Sequence, residues 1–301
     1  MKVLVTGATG LIGRQLCARL ASHQIDVNYL TTKKAEIRNE PHYKGFFWNL
    51  ENEIIDEKCL EGVTAIVHLA GANISKRWTR DYKKEIVESR VLSANLLLKL
   101  LKENPNEVKQ FVSASAIGIY EDSLSIYHNE ESKDLEASFI GCVVKKWEAA
   151  ADRFSAIGLK VAKIRTGLVL AREGGMLQEV AKPVKFGFGA AFGSGKQWQS
   201  WIHIDDLVKM YIAAIEESWE GVFNAVAPHP VSNEDFVKLT AKVLGKPFFL
   251  PNLPEWLLKL MLGEMSTLLF LSQKVRPERT NNQGFRFHYE HLEPALENLL
   301  K

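Results

Sequence analysis

The residues whose types and spacing point most directly to chemistry are Gly7-Ala8-Thr9-Gly10-Leu11-Ile12-Gly13, near the amino terminus. They follow a short apolar run at 3–5 and open a stretch in which Leu16 and Leu20 stand four apart, as on a helix. A glycine at the first position allows a tight turn out of a buried strand. At the second it lets the backbone approach a pyrophosphate, and at the third it lets helix and sheet pack closely. The free N–H groups of the helix's first turn, with its positive dipole end, then receive phosphate oxygens. Glycine spacing alone is a weak signal. Here strand, turn, helix and position agree, and they imply dinucleotide binding by Gly7, Thr9, Gly10, Leu11, Ile12 and Gly13.

The end of the second strand, expected at 27–30, reports the kind of dinucleotide, because an acid there bonds the ribose 2′-hydroxyl of NAD. This chain places Thr31, Thr32, Lys33 and Lys34 at that point, with Asp26 before the strand and Glu36 beyond the turn. Neither acid is expected to reach the ribose. Two hydroxyls and two ammonium groups suit a 2′-phosphate, so NADP(H) is the expected cofactor and NAD(H) the alternative. A third strand, 65–69, closes on His68-Leu69-Ala70-Gly71. Small residues at that edge leave room for a cofactor lying across the strand ends, so Leu69, Ala70 and Gly71 join the candidate binding residues.

These residues need a parallel sheet to bring them together. Further strands are expected at 111–114, 160–164 and 222–226, with helices over 11–20 and 82–101. Strands alternating with helices of this length imply right-handed βαβ crossovers. The fold class is therefore α/β: a Rossmann-type doubly wound parallel sheet with a smaller, partly interleaved carboxy-terminal α/β domain. The expected division is 1–166, joined by 200–228, for the dinucleotide domain, and 167–199 with 229–301 for the smaller one. Residues 174–201 are rich in glycine and aromatics without a clean period, and short helices are expected at 255–262 and 293–300.

Composition bounds the partners. The chain has 301 residues, 46% hydrophobic and 25% charged, values ordinary for a soluble globular protein. Its net charge of +2, from 38 basic and 36 acidic residues, is too small to gather nucleic acid or an anionic membrane. No apolar segment has the length of a bilayer span. Cys17, Cys59 and Cys142 are scattered, which disfavours a disulfide framework or a metal site and suggests the cytoplasm. The expected partner is a small molecule, and the chain a monomer or homodimer.

GATGLIG, HLAG, SASAIGIY and RTGLVL together resemble the extended short-chain dehydrogenase/reductases, which include sugar-nucleotide epimerases and dehydratases. RWTRDYKKEIVESR, GSGKQWQSWIHIDD, VFNAVAPHPVSNEDF and LGEMSTLLFLSQKVRPERT are similar to an atypical subgroup of epimerase family proteins with a carboxy-terminal domain of unknown function. The wider family uses a Tyr and a Lys four apart on one helix face, and a Ser at a strand end. Aligning Glu148 with the family's helix glutamate puts Ile140 at the tyrosine position and Val144 at the lysine position. Neither carries a proton. Ser115 takes the serine position and is the one catalytic candidate the resemblance supplies. Resemblance to the animal members implies further cofactor contacts at Glu85, Arg90 and the backbone of Val169.

Tyr120, Lys145, Lys146 and His203 are alternative proton carriers by topology. Their structural readings are a half-buried aromatic, a solvated helix face, and a strand-end histidine before an aspartate that caps the next helix. The segment GSGKQ is not a phosphate loop, because Ala190 stands for its first glycine and Gln197 for the magnesium-binding hydroxyl. Gln197, Gln199, Ser200 and Trp201 are candidates for a substrate-pocket wall, or else part of a folded connection. Two functions follow: an NADP(H)-dependent oxidoreductase or epimerase acting on a carbonyl or sugar-type molecule, and a catalytically silent nucleotide-binding sensor.

Overall fold

Alternation within each strand decides how this chain layers, as a computed structural model describing all 301 residues shows. The strands that carry the site are β1 (Lys2–Thr6), β2 (Asp26–Thr31), β3 (Tyr43–Asn49), β4 (Ala65–His68), β5 (Gln110–Ala116), β6 (Lys160–Thr166) and β7 (Gly221–Ala225). They lie in the order β7-β6-β5-β4-β1-β2-β3, every neighbouring pair parallel. Short antiparallel pieces, Asn39–Glu40 and Ile54–Ile55, flank β3. Strand order reverses at β1, between β2 and β4, and the crevice outside the carboxyl ends at such a point is where ligands bind in doubly wound sheets.

Val3, Val5, Val27 and Val67 face one core with Leu16 and Leu20 of α1 (Leu11–Ser22) and Leu207 and Tyr211 of α5 (Ile204–Glu216). Leu4, Leu30, Ile66 and Phe111, one residue out of phase, face the other. There they meet Leu97 and Leu101 of α2 (Arg80–Glu103) and Ala151 of α3 (Phe139–Asp152). A period of two on strands and about four on helices thus produces a sheet covered on both sides.

A third core joins Leu177 and Val184 of α4 (Gly175–Lys185), Phe236 and Ala241 of α6 (Asn233–Val243), and Leu292 and Leu296 of the last helix, α8 (Leu292–Leu300). The helix α7 (Glu255–Leu262) lies between α6 and α8 in sequence. Leu168–Leu170 pairs in parallel with Trp201–His203 and links this core to the large sheet. No helix is long and apolar enough to cross a membrane.

Strand β3 has no clean alternation in sequence and was not among the expected elements. Its Gly45 interrupts the apolar run because the Tyr29 ring occupies the place of a Cβ, which would stand 2.5 Å from the phenol. Within 174–201, helix α4 forms after Gly174 and despite Pro183, two residues that mask its period.

Candidate functional site

The turn between β1 and α1 is shaped by what its glycines lack. Gly7 has φ +68°, and a Cβ there would stand 2.8 Å from the Leu69 carbonyl. A Cβ on Gly13 would stand 2.1 Å from the Gly7 oxygen. Gly10 begins α1 without a side-chain cap, and no acid lies in the first helical turn. The first intrahelical bond runs from Arg14 N–H to the Gly10 carbonyl, so the N–H groups of Leu11, Ile12 and Gly13 bond nothing in the chain. Free donors, a positive helix end and no Cβ in the way form a cradle that fits a pyrophosphate.

The neighbouring ledge, Leu69-Ala70-Gly71, is held by a residue that motif reading passed over. The Thr6 hydroxyl oxygen accepts from the N–H groups of Leu69 and Ala70, both at 3.1 Å, and lies 2.9 Å from His68 Nδ1. Thr6 therefore gives its proton to Nδ1. The other ring nitrogen, Nε2, carries the imidazole proton and donates it to Ser93 Oγ at 3.1 Å, whose own hydroxyl bonds the Ser89 carbonyl. Complete burial pushes the His68 pKa down to about 4, so the ring is neutral. Thr6, His68 and Ser93 thus tie the ends of β1 and β4 to α2. The signal was present as a Thr directly before the glycine turn and a His at the strand end.

Arg90 completes the ledge from below. It donates to the carbonyls of Ile86 at 2.8 Å and Ala72 at 3.2 Å, packs against Gly71, and lies over the Trp147 ring at 4.8 Å. Burial lowers its pKa to about 10, and its Nε is buried without a partner. Glu85 is exposed, with no ion pair to Arg90. On the opposite side, the Leu11 side chain touches the positions of Gly174 and Gly175, and Gly175 lies against the Val169 carbonyl. The structure thereby brings Leu11 and Val169 to one edge.

At the end of β2 one expectation is corrected. Glu36 was placed beyond reach, yet a single helical turn, Lys34–Glu36, folds its carboxylate back. Its Oε1 meets Lys33 Nζ at 2.9 Å and its Oε2 accepts from Thr31 Oγ1 at 3.5 Å. The Lys33 ammonium, with smaller help from Thr31, holds Glu36 below the usual carboxylate range. Thr31 Oγ1 also receives the Lys33 N–H at 3.2 Å, and Lys34 leans over Phe47. Thr32 and Lys33 are exposed.

The serine position is occupied very differently from a free hydroxyl. Ser115 is 2% exposed and donates to Glu148 Oε1 at 2.6 Å. Arg165 grips the same carboxylate through Nε at 2.8 Å and a second nitrogen at 2.9 Å, and donates to Tyr120 at 3.0 Å. Tyr120 in turn donates to Asn224 Oδ1 at 2.7 Å. Burial works against the Glu148 charge, but the Arg165 fork outweighs it and holds the carboxyl below its ordinary range. Ile140 and Val144 are buried in an apolar cluster with Trp78, Ile86 and Ile119, and Ile140 packs directly on Gly118. Ile140 and Val144 thus present no titratable group, and the Ser115 proton is committed to Glu148.

Tyr120 is fully buried rather than half-buried, because its hydroxyl completes the Arg165 chain, and burial pushes its pKa up to about 12. Lys145 bonds the Glu136 carbonyl and Lys146 is exposed. His203 itself caps α5 by accepting from Asp205 N–H at 3.1 Å, so the cap is the histidine and not the aspartate. Asp206 instead accepts from the N–H groups of His288 and Tyr289. Gln197, Gln199, Ser200 and Trp201 are all buried. Gln197 bonds the carbonyls of Phe192 and Leu269, Ser200 that of Gln273, and Trp201 that of His229. Gln197, Ser200 and Trp201 thus satisfy the chain's own backbone, as a folded connection requires, whereas Gln199 Oε1 is buried without a partner.

The NAD dependent epimerase/dehydratase family matches residues 3–139, and a domain of unknown function, DUF1731, matches 253–299. An epimerase family protein of Staphylococcus aureus (strain N315) is 35% identical over 99% of this chain and 98% of its own. The crystal structure of human epimerase family protein SDR39U1 (isoform 2) with NADPH superposes with a TM-score of 0.86 at 30% identity, covering 99% of each chain. A nucleoside-diphosphate sugar epimerase from Corynebacterium glutamicum gives 0.79 at 33% identity, over 99% of this chain and 58% of that one.

Proposed function

Because the chain belongs to the NAD-dependent epimerase/dehydratase family, as an atypical extended short-chain dehydrogenase/reductase, we propose that it binds NADP(H) and acts as an oxidoreductase or epimerase on a carbonyl or sugar-type small molecule. The observation that carries this reading is the cradle of free N–H groups at Leu11, Ile12 and Gly13, with Lys33 and Thr31 beside it. NADPH in the human relative supports the choice of cofactor. When bound, the nicotinamide supplies or accepts a hydride. The chain's residues bind and orient: the turn holds the pyrophosphate, Thr6 and His68 fix the ledge beneath it, and Arg90 braces the ledge against α2. Three free cysteines are in keeping with a reducing compartment, the cytoplasm.

A second reading, a nucleotide-binding sensor without turnover, is favoured by one observation: the Ser115 proton is committed to Glu148. Incubating the protein with NADPH deuterated at the transferable position, across a panel of carbonyl compounds and nucleotide sugars, separates the two. Deuterium in a product, or scrambled within the cofactor, supports the enzyme. Tight NADPH binding with no transfer to any compound would leave only the sensor.

A further inference from the structure

Glu36 and Lys33 form a closed pair at the corner where the adenosine ribose of a dinucleotide meets β2. The backbone under this pair is fixed. The Tyr29 hydroxyl, on a ring that is 1% exposed, donates to the Glu36 carbonyl at 2.7 Å and accepts from Arg38 N–H at 2.7 Å. Tyr29 is stacked on Tyr43 and fills the space left by Gly45. Only the ends of the two long side chains are free to move: Lys33 is 72% and Glu36 35% exposed. The carboxylate lies beside the Thr31 hydroxyl at the end of β2, and since Leu30 stands opposite Thr6 the pair sits next to the turn that follows β1, the corner an adenosine ribose occupies in such folds.

We propose that Glu36 sets the choice between NADH and NADPH, as an internal counter-ion that a 2′-phosphate must displace from Lys33 and that a free 2′-hydroxyl does not. The inference rests on the cofactor reading above. With a ribose diol the Glu36 carboxylate stays in place and accepts from the hydroxyl. With a 2′-phosphate, a dianion beside a carboxylate is repelled, so Glu36 turns outward and Lys33 transfers its ammonium to the phosphate. The preference for NADPH is thus held below what Thr31, Thr32 and Lys33 alone would give, and the protein accepts both dinucleotides.

The test is the ratio of dissociation constants for NADH and NADPH, read from cofactor fluorescence with the full chain. Glu36→Gln removes the charge and keeps the shape, and is expected to raise the NADH-to-NADPH ratio about fivefold, the scale of an exposed charge interaction. Glu36→Ala, which also removes the acceptor, is expected to raise it further by weakening NADH. Lys33→Met is expected to lower the ratio. An unchanged or lowered ratio in both Glu36 variants would overturn the inference while leaving NADP(H) binding intact. A folded wild type that binds neither dinucleotide would overturn the cofactor reading and this inference with it.

Discussion

A methyl group on Gly13 would stand 2.1 Å from the Gly7 carbonyl oxygen, a separation no Cβ tolerates, so Gly13→Ala must move the turn that presents Leu11 and Ile12 to the pyrophosphate. The variant is expected to lose about 1–3 kcal/mol of stability. It is also expected to lose most of the thermal stabilisation that NADPH gives the wild type. Melting curves with and without nucleotide measure both. Ser115 and Glu148 differ in the opposite sense. Ser115→Ala removes one hydrogen bond, about 1 kcal/mol, and leaves Glu148 paired with Arg165. Glu148→Ala strands a buried guanidinium and costs about 3–5 kcal/mol. Urea unfolding of the two variants checks the contrast, and similar losses in both would count against the network as drawn. The glycines were legible in sequence because they answer a local backbone demand. Glu36 was not, because one helical turn decides where its carboxylate lies, and no spacing rule reports the direction of that turn.

The element that joins β1, β4 and α2 is a buried neutral histidine, and it makes the site edge sensitive to acid. The His68 pKa lies near 4 in the folded chain against an ordinary 6.5. Between those values the unfolded chain holds a proton that the folded one does not. Stability therefore falls as pH drops from about 6.5 to about 4, by up to about 1.4 kcal/mol per unit from this group, and is unaffected by it above 6.5. Burial pushes His128 and His203 in the same direction. Urea unfolding across this pH range should show the decline, and His68→Gln should flatten part of it. A wild-type stability that stays level down to pH 4 would contradict the buried neutral ring. Strands β1, β2, β4, β5, β6 and β7 were readable from short apolar runs. Strand β3 and helix α4 were not, since Gly45 makes room for the Tyr29 ring and Pro183 interrupts a helical pattern that nonetheless forms.

The whole molecule consists of a sheet covered on both faces and a third core that the last helix completes, joined where Leu168–Leu170 meets Trp201–His203. The near-neutral, average composition carried no sign of this arrangement. The segment at 197–201 shows why: glutamine, serine and tryptophan suit a ligand pocket or a buried backbone equally well in sequence, and their bonds run to distant partners such as Leu269 and Gln273. The family resemblance set Ile140 and Val144 against the tyrosine and lysine positions, and both side chains pack in an apolar cluster. What survives at this scale is a dinucleotide edge built from β1, β2 and β4. Its most direct test is a calorimetric titration of NADPH, then NADH, into the wild-type chain. Saturable binding of one NADPH per chain, tighter than NADH, is the expected result; no binding heat with NADPH, or tighter binding of NADH, would contradict the account.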